Sequence, residues 1–555
     1  MATYEAYTPD TFISRALFNF DAFGGSDFRV TGPISVSVSD SFTLADFKAQ
    51  AVSIASEVYT TGSTAAGGWT PSNIANVDTI LQIYANFIPV NFSKVIDDTG
   101  LNPAQVGASS DVDIALINRP DLAFSGYASL NNDLLFLYPY SRSDIVVNVA
   151  NTEANPSFST LAYSGHVLMH EIGHVLGMSH PQLRYIGSNA ILTSDFIALT
   201  EVGFDQLGFV IQSGIDLNKE YFTIMSYADQ VPAGGNTFAQ TPMILDVIAL
   251  QTAYGEGHGS SGSGNDIITP GDAGQVTSFR TYFDTGGTDT INLVNYAGGA
   301  YLHMGAVIDG ASHLVGVSMS TADEALMRNG ANPESLRWFY GEFENAVGSA
   351  GDDHIIGNML DNVITGGGGN DIIDGGAGID TALYSGKRSD YLIDTSNAVV
   401  KVSDQVAGRD GQDQLTNIEI LGFSDGKIVL DADAANAGDL YLFFSGLFGR
   451  VPDTNGFRYW AQAAAMQALS EDDVARIFTA SAEYSNIYAG LSDKDFASAL
   501  YSHVFGRNAD VAGLAYWTQA LSHGTTRLEV ETDFVTSAEA LAVVGPNMRS
   551  GFWTI

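Results

Sequence analysis

The densest concentration of chemically capable side chains is the run His170-Glu171-Ile172-Gly173-His174-Val175-Leu176-Gly177-Met178-Ser179-His180. His170 and His174 stand four residues apart, so on a helix their imidazoles leave one face a turn apart and can grip one ion. Glu171 sits beside the first of them, where a carboxylate can take a proton from a water activated by that ion. Gly177 allows a left-handed exit from the helix, which a residue without Cβ tolerates. The exit would swing His180 round as a third nitrogen ligand. Three protein ligands leave a tetrahedral ion one open position, the feature that separates a catalytic zinc from a structural one. A buried helix with satisfied histidines is the plainer explanation of two histidines at this spacing. The addition of Gly177 and His180 argues against it.

These residues need a helix over about Phe158–Gly177 and a frame to hold it. Apolar residues at helical spacing predict one amphipathic helix over Thr43–Tyr59 and another over Ile74–Phe87. Strand-like runs follow at Val112–Ile117, Leu134–Tyr138 and Ile145–Val149. His166 lies one turn before His170 on the same face, where packing or support is its expected role. Met243–Tyr254 reads as a helix ended by Gly255, and the Gly/Ser-rich stretch from Gly257 to Ser263 as a boundary.

Beyond that boundary a second chemistry begins. Four nonapeptides start at Gly348, Gly357, Gly366 and Gly375 without a gap, in the phase of calcium β-roll repeats. Their sixth residues, Asp353, Asn362, Asp371 and Asp380, offer side-chain oxygens. Their eighth residues, Ile355, Ile364, Ile373 and Ala382, can stack inside. Hard oxygen ligands without nitrogen or sulfur select calcium. A glycine-rich linker has no reason to hold such a phase.

Downstream of the histidines, Thr223-Ile224-Met225-Ser226-Tyr227 looks like the Met-turn of metzincins. Together these motifs resemble the serralysins, secreted metzincin proteases of Gram-negative bacteria with a calcium β-roll, over roughly residues 30–430. The resemblance implies a zinc endopeptidase acting on protein substrates, with His170, His174 and His180 on zinc and Glu171 as general base. It implies that Met225 floors the imidazoles. Tyr227 would be an extra zinc ligand at rest and would support the transition state. It also places Gly126, Tyr127 and Ala128 on a sheet edge where an extended peptide can add as a strand. Two further segments look like serralysin calcium loops, Gly262–Asp266 and Asp284–Asp289, which adds Asp266, Asp284 and Asp289 as calcium ligands. Between Pro181 and Tyr221 the chain departs from the family and looks longer.

Composition narrows the partners. Lys+Arg is 23 against Asp+Glu 63, a net charge of −40, which repels nucleic acid and anionic membranes and attracts cations. Cysteine is absent, so calcium is the expected staple. No apolar run is long enough for a membrane span. The N-terminus, Met1–Tyr7, lacks the basic and apolar regions of a secretory signal. The family resemblance instead implies secretion through a type I exporter.

From Asp439 onward helix formers replace glycine. Leu447–Trp460 recurs as Val504–Trp517, about 57 residues on, and Ser481-Ala482-Glu483 recurs as Ser537-Ala538-Glu539. The tryptophans are expected in the core, and Arg450 is expected to brace its loop with Asp453. The repeat resembles helical modules of unassigned role appended to exported bacterial proteins, and attachment to a cell-surface partner is one expectation for it. The whole reads as a multidomain chain. A propeptide-like strap spans 1–30, an α/β metzincin protease domain 31–255, a parallel β-roll with a β-rich flank 256–435, and an all-α domain 436–555. The alternative is a calcium-dependent surface-anchoring or adhesion protein with a vestigial protease fold. The intact set His170, Glu171, His174, His180, Met225 and Tyr227 favours the enzyme.

Overall fold

The computed structural model describes residues 3–7, 27–31, 34–39, 70–94, 112–117, 126–129, 143–148, 157–178, 184–186, 189–191, 219–226, 238–260, 262–270, 279–308, 311–329, 331–430, 437–467, 471–548 and 551–555. The helix expected over Thr43–Tyr59, the strand at Leu134–Tyr138, and the aromatic residues between Phe12 and Phe23 lie outside them. The described chain falls into two compact units, residues 1–345 and 346–555.

In the first unit, β1 (Thr3–Tyr7) and β2 (Asp27–Thr31) pair antiparallel. Next come β3 (Ile34–Ser39), α1 (Pro71–Phe87), β4 (Phe92–Lys94), β5 (Val112–Ile117), β6 (Gly126–Ser129) and β7 (Ser143–Asn148). The five strands form one sheet in the order β4-β3-β5-β7-β6. All pairs are parallel except β6 with β7, and among the described residues β6 lies at the sheet edge. Ile114, Ile145 and Val147 are buried on the central strands. Helix α1 begins before the apolar period suggests, because Thr70 caps it by accepting from the Asn73 N–H and Pro71 suits the first turn. Val77, Ile80, Leu81, Tyr84 and Phe87 form its buried face.

The histidine helix, α2, covers Tyr163–Val175, five residues shorter at its start than the sequence suggests. Phe158 holds φ 55°, and its N–H donates to Ser164 Oγ at 3.0 Å, so the chain arrives through a tight turn. Helix α3 (Ile244–Tyr254) ends at Gly255 with φ 85°, the expected left-handed exit. Two tyrosines pin α2 between its neighbours. Tyr84 of α1 donates to Met169 O, and Tyr254 of α3 donates to Leu176 O, both at 2.6 Å.

The first unit also contains strands Phe279–Phe283, Leu336–Tyr340, Val315–Ser320 and Ala300–Ala306, hydrogen-bonded in that order. Their first pair is parallel and the other two are antiparallel. This β-rich segment packs on residues 221–222. Trp338 is fully buried, packs tilted against Phe222 with ring centroids 5.5 Å apart, and donates from Nε1 to Tyr221 O at 2.6 Å.

In the second unit the nonapeptides make short strands at His354–Asn358, Val363–Thr365, Ile372–Gly376 and Thr381–Leu383. Alternate repeats pair in parallel, so His354 faces Ile372 and Val363 faces Thr381. Ile355, Ile364, Ile373 and Ala382 are all buried, as their phase in the repeat requires. Helices follow from Ala437 to Val544, and their core gathers Tyr441, Phe444, Phe457, Phe496 and Phe534. The C-terminal region is not wholly helical: Phe552–Thr554 forms a strand that pairs antiparallel with Gly426–Val429.

Candidate metal centre

Helix α2 is buried along most of its length, with His170 5% and Glu171 4% exposed. The imidazoles of His170 and His174 lie edge to face, their centroids 4.9 Å apart. His170 Nδ1 is 2.7 Å from Ile224 O, and His174 Nδ1 is 2.8 Å from Met178 O. A carbonyl oxygen only accepts, so both Nδ1 atoms carry the hydrogen, and in the neutral ring the lone pair sits on Nε2. Burial lowers the His174 pKa to about 4, and its bond to the Met178 carbonyl only partly offsets this. The ring is therefore neutral, the form that binds a metal. Two fixed imidazole nitrogens one turn apart, with a carboxylate between them in sequence, fit zinc.

The helix end supplies one of these anchors. Gly177 has φ 98°, its N–H donates to His174 O, and Met178 N–H donates to Gly173 O, each at 2.9 Å. This pair of bonds closes the helix as a Schellman turn and carries Met178 O back beneath His174. The segment after residue 219 supplies the other anchor. Ile224, Met225 and Ser226 run under α2, and a Cβ on Gly173 would lie 2.8 Å from Met225 Sδ and 2.8 Å from Met178 Cε. His180 and Tyr227 lie outside the described residues. His166 stands 3.5 Å from Glu220, whose Oε1 accepts the Ala239 N–H, so it faces a supporting carboxylate.

Sequence reasoning missed Asp246. Its buried carboxylate accepts from Thr223 Oγ1, from Ile224 N–H at 2.8 Å and from Met243 N–H at 2.8 Å. Burial pushes its pKa up to about 7 against the pull of these three bonds. The position sits inside an apolar helix, where its one signal is an acid in the first turn.

Gly126, Tyr127 and Ala128 are on β6, antiparallel to Val147, Val146 and Ile145. Asp266, Asp284 and Asp289 converge, with carboxylate oxygens within 4.8 Å of one another. Asp266 Oδ2 and Asp289 Oδ2 are buried without a hydrogen-bond partner. Burial and then the nearby Asp284 charge raise the Asp289 pKa to about 6. An oxygen-lined cluster with orphaned carboxylate atoms fits a calcium ion.

Asp353, Asn362, Asp371 and Asp380 do not form one group; they fall in two columns. In one, Asp353 N–H donates to Asp371 Oδ1 at 2.9 Å and Asp371 N–H to Asp413 Oδ1 at 3.0 Å. In the other, Asn362 N–H donates to Asp380 Oδ1 at 2.8 Å and Asp380 N–H to Glu419 Oε2 at 2.7 Å. Asp413 and Glu419 extend the columns past the nonapeptides, where no nine-residue phase marks them. Arg450 pairs with Glu483 at 2.8 Å rather than with Asp453, which accepts the Gly456 N–H at 2.7 Å at the start of the next helix. The second copy repeats the arrangement, with Arg507 on Glu539 at 2.7 Å and Gly513 N–H on Asp510 at 2.8 Å.

Comparison with known proteins follows the same lines. The chain is 25% identical to serralysin B of Dickeya chrysanthemi over 316 residues, 53% of this chain and 55% of that protein. It is 24% identical to serralysin of Proteus mirabilis over 51% of this chain and 53% of that one. With metalloprotease AprA of Pseudomonas entomophila it shares 26% identity over 43% of this chain and 47% of that one. This chain is similar to the serralysins. It spans about half the length of the serralysins it matches. Residues 475–544 match a family described as a domain of unknown function, DUF4214, so the helical region carries no assigned role. Among the described residues, no helix is long and apolar enough to cross a membrane.

Proposed function

We propose that the chain is a secreted zinc-dependent endopeptidase that hydrolyses peptide bonds of protein substrates. The observation that carries this reading is the pairing of His170 Nδ1 with Ile224 O and of His174 Nδ1 with Met178 O, which aims both Nε2 lone pairs from one buried helix face. His180 completes the ligand set by its place in the motif. The zinc, when bound, supplies a Lewis acid that makes water nucleophilic at neutral pH and polarises the scissile carbonyl. Glu171 takes the proton from the attacking water and passes it to the leaving amine. The Tyr227 hydroxyl supports the oxyanion. β6, at the edge of the described sheet, would take an extended substrate as a further antiparallel strand.

Calcium is the structural ion in this reading. Asp266, Asp284 and Asp289 would share one ion, and the columns headed by Asp353 and Asn362 would hold others. The ions neutralise carboxylates that otherwise repel one another in a glycine-rich fold. A chain that folds on meeting external calcium suits export through a type I exporter in an unfolded state. The helical repeats would then meet a cell-surface partner.

Protein stripped by 1,10-phenanthroline and dialysed should not cleave denatured casein. One equivalent of zinc per chain should restore cleavage in the presence of calcium. Cleavage that persists in zinc-free protein would refute the reading.

A further inference from the structure

The groups beneath His170 are ordered in one direction. Its Nδ1–H donates to the carbonyl of Ile224 at 2.7 Å. The N–H of that same peptide group, Met225 N–H, donates to Thr223 Oγ1 at 3.1 Å. The Thr223 hydroxyl in turn donates to Asp246 Oδ1. With Asp246 ionised, each donor is set. A carbonyl cannot donate and a peptide N–H cannot accept, so the hydroxyl receives from Met225 and its own hydrogen goes to the carboxylate. Thr223, Ile224, Met225 and Asp246 are all completely buried, and water has no access to interrupt the series.

We propose that Asp246 is a positioning residue for the metal, acting on His170 through Thr223 and the Ile224–Met225 peptide. The inference rests on His170 being a zinc ligand, as proposed above. Metal-binding histidines commonly hand their second N–H to a carboxylate, which fixes the ring and raises its basicity. Here the carboxylate acts at a distance. Hydrogen bonds aligned head to tail polarise one another, so negative charge at Asp246 makes Ile224 O a stronger acceptor. The other oxygen, Asp246 Oδ2, holds Ile224 N–H and Met243 N–H, each at 2.8 Å, and ties the turn to the first residues of α3. Backbone anchoring needs only Oδ2. The Thr223 link at Oδ1 is therefore the part whose effect belongs to the metal.

The test is the zinc dissociation constant of the full chain, measured by chelator competition, together with the visible spectrum of the cobalt(II)-substituted protein. Thr223→Val keeps the side chain's shape and breaks the series. It should raise the dissociation constant about 10-fold or more, in the range seen when groups behind metal ligands are removed, and shift the cobalt band. Thr223→Ser keeps the hydroxyl and should stay close to wild type. If Thr223→Val does not fold, Asp246→Asn carries the test. Its amide oxygen can still accept both backbone N–H groups, while its NH2 cannot accept from Thr223, and the same weakening is expected. A folded Thr223→Val or Asp246→Asn protein with the wild-type dissociation constant and cobalt spectrum would overturn the relay. Wild-type protein without tight zinc binding would instead overturn the proposed function, so the two failures are distinguishable.

Discussion

Tyr254 Oη lies 2.6 Å from the carbonyl of Leu176, so the last residue of α3 holds the last turn of α2. The next residue after Leu176 is Gly177, at φ 98°, and beyond it Met178 O receives His174 Nδ1 at 2.8 Å. The metal face of His174 therefore depends on a backbone conformation that L side chains rarely adopt.

Gly177→Ala should cost about 1–2 kcal/mol of stability, the usual penalty for left-handed backbone with a Cβ. Thermal unfolding would show the loss, and zinc should bind more weakly because Met178 O moves with the turn. A variant with unchanged melting temperature and zinc affinity would mean that the turn relaxes without consequence.

Gly173→Ala tests the fit between α2 and Met225. The added Cβ would sit 2.8 Å from both Met225 Sδ and Met178 Cε. Overpacking of this kind typically costs about 1–3 kcal/mol. Met225→Ala in the same background should recover part of that loss by making room, which a double-mutant cycle would detect.

Trp338 links the β-rich segment to the turn under the metal. Trp338→Phe removes its bond to Tyr221 O, an expected cost of about 0.5–1.5 kcal/mol in urea unfolding. Casein hydrolysis should fall with it at temperatures near the midpoint. No change in stability would separate this segment from the protease fold energetically.

Much of the site was legible because its chemistry is local. A four-residue spacing put His170 and His174 on one helix face, and Gly177 marked the turn. The nine-residue phase placed Ile355, Ile364, Ile373 and Ala382 inside. What escaped was non-local. Asp246 reaches Thr223 from 23 residues away through tertiary packing that no period encodes. Asp413 and Glu419 meet their column neighbours Asp371 and Asp380 across 42 and 39 residues. The early start of α2 failed because apolar periodicity does not register the left-handed backbone of Phe158. Arg450 was assigned to Asp453 by proximity in sequence, yet Asp453 is engaged as a helix cap, and the guanidinium takes Glu483 instead.

Calcium affinity should depend on pH with a defined sign. Burial first, then neighbouring carboxylates, raise Asp371 to about 8 and Asp380 to about 7; Asp413 is likewise raised to about 7. Without the ion, the folded chain binds more protons than the unfolded chain between about pH 4 and 8, so its stability should fall as pH rises through that window. Calcium competes with those protons. Its midpoint for ordering β structure, read by circular dichroism, should therefore drop from pH 6 to pH 8.5, and Asp371→Ala should raise it. A midpoint independent of pH would show that these carboxylates do not hold the ion.

The decisive measurement is a paired assay on Glu171→Gln, with zinc content by mass spectrometry of metals and hydrolysis of denatured casein followed on the same sample. The variant keeps His170, His174 and His180 and should retain one zinc per chain. It should lose hydrolysis by roughly 10²–10⁴-fold, as expected when a positioned general base is removed. A zinc-loaded Glu171→Gln protein that cleaves casein near the wild-type rate would contradict the assignment of this helix as a peptidase centre.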